Sequence, residues 1–296
     1  MPGELRIGIS GWNYPKWRGV FFPKGLAQRR ELEYASQQLN SIEVNGTFYS
    51  LQKPSSFGSW HDQTPEDFVF ALKGSRYITH MRRLKDVETP LANFFASGVL
   101  RLGAKLGPIL WQFPERMKWD EARFEQFAAM LPRDTEAAAK LARKHDGRLK
   151  ERAFMRVADN RPIRHAMEIR SESFLNDAFI DLLRRHNVAW VIADAADRWP
   201  SFEQVTADFV YIRLHGAKEL YTSGYDEDEL HRWADRIAAW RDGREPTDAT
   251  KFSEKTARKR RSRDVYVYFD NDVKVHAPFN AMRLSELLGV GEYEYA

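Results

Sequence analysis

Apolar side chains recur along this chain in two rhythms: short runs suited to strands, and longer segments with an apolar stripe every three or four positions. The runs cover 5–10, 41–45, 68–73, 108–113, 165–170, 188–194, 209–215 and 265–270, each five to seven residues long and rich in Val, Ile, Phe, Tyr or Trp. Helical stripes fall between most of them. Thr89-Pro90 reads as an N-cap with proline at the first helical position, followed by Leu91, Phe94, Phe95 and Leu102. Asp120 caps a segment with Phe124, Phe127, Ala128 and Leu131 on one face, and Phe179, Leu182 and Leu183 follow Ser173. Leu230, Trp233, Ala234, Ile237 and Trp240 repeat the pattern, and Ala281, Leu284 and Leu288 close it. The weakest of these signals lies at 201–205, where the pattern supports only a turn of helix.

Eight strands alternating with helices predict a parallel sheet closed into a (β/α)8 TIM barrel, an α/β fold of one domain over 1–296. Two stretches, 132–164 and 244–263, read as insertions; without them 243 of the 296 residues remain, close to the roughly 250 typical of this barrel. Both follow a helix and precede a strand, so they are expected on the N-terminal face, away from the mouth where barrel enzymes place their sites. An open doubly wound sheet is the alternative. It would want a glycine-rich phosphate loop, and neither GxGxxG nor GxxxxGK[ST] occurs.

Strand alternation then selects the mouth. If Met167 and Ile169 face the helices, Glu168 and Arg170 face inward; if Val210, Ile212 and Leu214 face out, Tyr211, Arg213 and His215 face in. The same step places Glu43, Asn45 and Thr47 inside, and brings in Lys73, Gln112 and Asp194. Polar groups thus gather where the strands end, while the strand starts read as apolar. Buried charges cost several kcal/mol each unless paired or bound to a ligand. Glu43, Glu168 and Asp194 balance Lys73, Arg170 and Arg213, so a closed salt-bridge lattice is one reading and a ligand site the other. Trp12, Tyr14 and Trp17 in the first loop, with Phe48 and Tyr49 in the second, are rings suited to stacking on a ligand or closing over the barrel as a lid. The segment 75–80 and Asn271-Asp272 complete the rim.

Composition adds limits. The absence of cysteine excludes disulfides, thiolate nucleophiles and cysteine zinc sites. No apolar run approaches the roughly 20 residues of a membrane span and the first residues carry no apolar leader segment, so the expectation is a cytoplasmic protein with no membrane partner. The net charge is +4, yet 251–263 alone holds seven Lys or Arg and one Glu, leaving −2 for the rest. The basicity therefore belongs to one strip, either a solvated loop or a contact for a polyanion.

The stretches GISGWNY at 8–14, EVNGTFY at 43–49, FALKGSRYITH at 70–80, LGPILWQFP at 106–114, HAMEIRSESF at 165–174, YIRLHG at 211–216 and VYFDND at 267–272 resemble, in order, the motifs of the YecE-like family, domain of unknown function 72. The resemblance implies a TIM barrel and no established activity. It places motif positions on Glu43, Asn45, Lys73, His80, Gln112, Glu168, Arg170, Arg213, His215 and Asn271, with Asp270 standing where many relatives have Asn. The two long insertions exceed the usual pattern.

Three functions suit these residues. In the first, a hydrolase or phosphodiesterase-like enzyme acts without metal on an anionic small molecule or nucleic-acid end: Arg170, Arg213 and Lys73 clamp the anion and His215 or Glu168 exchanges a proton. In the second, a divalent metal sits on Glu168, Asp194, His215 and Asp270, as in isomerase or endonuclease barrels, with Arg170 and Arg213 opposing it by charge. In the third, a barrel binds or regulates without turnover. Nothing in the sequence identifies a cofactor or the oligomeric state.

Overall fold

The computed structural model of the chain describes residues 2–149 and 152–290, so positions 150 and 151 of the first insertion lie outside it. Eight parallel strands close in sequence order: β1 (Leu5–Ser10), β2 (Ser41–Val44), β3 (Val69–Lys73), β4 (Leu106–Gln112), β5 (His165–Glu168), β6 (Val188–Asp194), β7 (Phe209–Leu214) and β8 (Asp264–Phe269). Around them lie α1 (Glu31–Gln38), α2 (Gly46–Tyr49), α3 (Pro54–Asp62), α4 (Glu88–Ala96), α5 (Glu121–Met130), α6 (Thr135–Ala142), α7 (Asp177–Arg185), α8 (Glu227–Arg241) and α9 (His276–Leu287). The outward residues Ile7, Ile42, Leu72, Ile109, Met167, Ile192, Ile212 and Val267 join the helices in one apolar layer. Inside, Ala71, Leu110, Ala166, Val191, Phe209, Tyr211, Tyr266 and Tyr268 fill the barrel. Burial on both faces is why these strands read as nearly continuous apolar runs.

Four expectations are corrected. Helix α4 starts at Glu88 after Val87, with no side-chain cap; positive φ at Arg83, Leu84 and Asp86 brings the chain in by tight turns, and Thr89-Pro90 lies within the first turn. Asp120, in contrast, caps α5 by accepting from the Arg123 amide. No helix follows β6: 195–208 is turn and coil, opened by positive φ at Ala196 and Asp197.

The second insertion fills the gap. Phe252 packs 5.3 Å from both the Trp190 and Phe202 rings, the Glu203 amide donates to the Thr250 carbonyl at 2.8 Å, and Lys255 pairs with Asp181 of α7 at 2.5 Å. Segment 244–263 therefore climbs the outer wall rather than hanging only from the N-terminal face. The first insertion likewise flanks the barrel: Asp134 caps α6, whose buried Thr135, Ala138, Ala139 and Ala142 meet α4, and the Phe154 amide donates to the Ala96 carbonyl. Nor are the strand starts wholly apolar. Arg164 spans the lower opening, bonded to Asp264 at 2.6 Å and to the Tyr266 hydroxyl at 3.1 Å.

Candidate active site at the barrel mouth

Arg213, next to last in β7, points into the barrel with no exposed surface. Its guanidinium donates to Glu43 from β2 at 2.9 and 3.1 Å, to Glu168 from β5 at 2.6 Å and to Asp270, just beyond β8, at 2.9 Å. Glu43 also accepts from the Ser10 and Tyr211 hydroxyls at 2.8 and 2.6 Å. Glu168 takes a second cation, Arg170, at 2.8 Å, and Arg170 stacks 3.5 Å from the Trp199 ring centroid. His215 Nδ1 meets Asp270 at 3.1 Å. One arginine thus locks three carboxylates, but not the set balanced from the sequence: Asp270 stands in the place expected for Asp194, and Lys73 pairs with none of them among the described residues.

Protonation follows from this packing. Burial works to raise the Glu168 carboxyl, but Arg170 and Arg213 outweigh it and hold it well below the usual range. At Asp270 the same contest, won by Arg213 and His215, leaves a pKa of about 2. His215 is lowered by burial and by Arg213 and so stays neutral at pH 7. Glu168 and His215 are sealed to 1% and 0% exposure, so neither reaches a ligand directly. Arg213, with its donors already committed, cannot serve as an anion clamp.

Above the lattice a cleft of about 680 Å³ remains, lined by Trp12, Tyr14, Asn45, Tyr49, Trp60, Lys73, Tyr221, Asp270 and Asp272. Lys73 has no carboxylate in ion-pair range among the described residues; its ammonium lies 4.6 Å over the Phe48 ring. Burial and then Arg213 lower it to about 8. Asp272 moves the other way, pushed up to about 6 by burial and by Asp270. Asn45 gives its amide to the Ser10 carbonyl, while its own carbonyl is buried without a partner. His80 rides a single π-helical turn, Tyr77–Met81, edge-on to Phe48 at 5.1 Å, and burial with Arg170 and Lys73 lowers it to about 4. Gln112 lies in register beside Glu168.

Three residues singled out from the sequence face elsewhere. Inward positions of β6 are Ala189, Val191 and Ala193, which turns Asp194 toward the helices, beside Tyr225 and Trp233, where burial raises its carboxyl. Asn271 is buried and ties Ser223 and Asn280 together, latching the loop after β7 onto α9. Trp17 is core, its indole donating to the Asp272 carbonyl. The metal set Glu168, Asp194, His215 and Asp270 is therefore not assembled: Asp194 has left it and Arg213 sits among the others. No group of three His, Cys, Asp or Glu among the described residues is placed to hold an ion.

Trp60, Trp199 and Tyr221 were not singled out from sequence. Trp60, on α3, meets Trp12 edge-on at 5.6 Å. Tyr221 sits at positive φ in a loop opened by Gly216, whose φ of 118° and contact with the Glu219 carbonyl suit only glycine. Neither loop residue lies in a periodic segment, so no pattern marks it.

The comparisons with known proteins agree with this architecture. A DUF72 family protein from Thermotoga maritima superposes with a TM-score of 0.71 at 23% identity, over 97% of this chain and 99% of that one. A second, from Enterococcus faecalis, gives 0.68 at 16%, over 97% and 96%. The UPF0759 protein YecE of Escherichia coli K12 is 30% identical over 144 residues, 42% of this chain and 50% of YecE. YunF of Bacillus subtilis, also a UPF0759 protein, is 25% identical over 129 residues, 42% of this chain and 44% of YunF. The chain thus spans about half the length of the curated relatives it matches. The family described as "Protein of unknown function DUF72" matches residues 6–294, and the chain belongs to that family.

Proposed function

We propose that the cleft is the active site of an acid–base enzyme, a hydrolase in the first instance, acting on a small substrate that carries a phosphate or carboxylate group, free or at a nucleic-acid end. One observation carries this reading: Lys73, without a carboxylate partner, opens onto the same cleft as Asp270 and Asp272, two carboxylates whose surroundings separate their proton affinities. Lys73 receives the anionic group. Asp272 donates a proton to the leaving oxygen, Asp270 stays ionised and orients the attacking water, the water's proton passes to the Asp272 carboxylate just formed and restores the acid, and Trp12, Tyr49 and Tyr221 supply the walls. Glu168, Arg213 and His215 act from beneath, by fixing Asp270 and its charge.

The test is a turnover screen of phosphomonoesters, phosphodiesters, sugar phosphates and lactones across pH. Since Asp272 must be protonated, kcat/KM should fall about tenfold per unit above pH 6. Asp272→Asn should remove that limb and lower kcat about 100-fold or more. Full activity in this variant would overturn the assignment. A locked lattice beneath the cleft also suits a binding barrel, and saturable binding of a screened anion, lost in Lys73→Met and without turnover, would select that reading.

A further inference from the structure

The basic strip divides its seven cations into two sets. Lys251 pairs with Glu245 at 2.9 Å and Lys255 with Asp181. Arg263 is buried and donates to the carbonyls of Gly243 and Arg258, at 2.7 Å each. These three hold the segment to the barrel. Arg258, Lys259, Arg260 and Arg261 are all exposed, and none has an ion-pair partner among the described residues. Their backbone is pinned at both ends: at Arg258 by the Arg263 guanidinium, and at Arg260 by Gly243, where a Cβ would come within 2.1 Å of the Arg260 carbonyl oxygen. Four unneutralised cations are thus presented on a fixed stretch at the end of α8, on the face opposite the mouth.

We propose that 258–261 is a contact site for the phosphate backbone of nucleic acid, independent of sequence, which holds the barrel on the polymer without delivering it to the cleft. The proposal stands apart from the reading of the mouth. Phosphate recognition needs only positive charge, and the strip offers Lys and Arg flanked by Thr256, Ala257 and Ser262 on coil, with no helix or strand to carry them into a groove. A lipid surface fits less well, because anchoring wants apolar groups beside the charge. The exposed large hydrophobics Val20, Tyr49, Met81, Val273 and Phe279 all follow strand C-termini or belong to α2 and α9, none of them in the strip. The net of −2 outside 251–263 means that the rest of the molecule does not favour a polyanion, so attraction is directional.

The experiment is fluorescence anisotropy of a labelled mixed-sequence DNA duplex with the full chain, between 50 and 200 mM salt. A variant with Arg258, Lys259, Arg260 and Arg261 all replaced by Ala should show a slope of log K against log salt shallower by up to about 3.6, from roughly 0.9 for each of four phosphate contacts. Its thermal midpoint should match the wild type, since these side chains pack against nothing, and two unrelated duplexes should bind alike. Unchanged duplex affinity in the variant would overturn the proposal. So would an absence of duplex binding alongside variant-sensitive binding to vesicles of phosphatidylcholine and phosphatidylglycerol, which would assign the strip to lipid.

Discussion

A buried guanidinium is tolerable only when acceptors meet its donors and opposite charge surrounds it. Arg213 meets both conditions through Glu43, Glu168 and Asp270, so its removal leaves two sealed carboxylates and a third at the cleft floor without their shared cation. Arg213→Met should cost on the order of 3–5 kcal/mol, read as the loss in denaturant midpoint at pH 7. The pH dependence carries the sign. In the wild type Asp270 is depressed to about 2 from an ordinary 3.8, so its contribution is complete above about pH 4 and is lost as pH falls through 2. In the variant burial meets less opposition at Glu168 and Asp270 and raises both carboxyls, so stability should be partly regained as pH falls from 7. Midpoints that fall in parallel for both proteins below pH 7 would contradict the lattice as a source of stability. Most of the lattice could be read from alternation in HAMEIR and FVYIRLH, whose outward Met167, Ile169, Val210 and Ile212 mark the inner face. VAWVIAD is apolar on both faces and gives no such mark, which is why polarity alone misplaced Asp194. Asn271 lies past the end of its strand, where alternation no longer applies.

Among the elements, the strands were legible to within two residues at each end, because a five- to seven-residue apolar run bounded by turns is a local property. The layer outside β6 was not. Its cover comes from 249–255, some sixty residues downstream of the strand, through Phe252, Ser253 and Lys255. Local periodicity cannot announce a partner so far along the chain. The consequence is testable: deleting 251–263 exposes Trp190 and Phe202 and frees Asp181, so the thermal midpoint should drop by several degrees or the chain should fail to fold. Alanine at 258–261 should leave it unchanged. Equal stability of the deletion and the wild type would show that the segment does not cover the wall.

Over the whole molecule, the two proposed sites lie at opposite ends of one barrel. The mouth carries a locked charge lattice under an open cleft, and the opposite end carries the free cations of 258–261. Between them lies a close-packed interior of Ala71, Leu110, Ala166, Val191 and the rings of Tyr211, Tyr266 and Tyr268. Saturating duplex should therefore leave the affinity of the cleft for a small anion unchanged within about twofold, since sites without a shared two-state element have no coupling free energy. Titration of the anion with and without duplex measures this directly, and a tenfold change would require a connection that the packing does not provide. Among the described residues no helix is long and apolar enough to cross a membrane.

The order and number of strands, the closure they imply and the inward set Glu43, Lys73, Glu168, Arg170 and Arg213 were determined by the sequence alone, because each rests on a side-chain period that the backbone imposes locally. Which charges cancel and which remain free was decided by the tertiary structure. Coulomb energy depends on distance through space between strands far apart in sequence, so only the closed barrel could seal Glu168 and His215 around Arg213, turn Asp194 away and leave Lys73 facing the cleft.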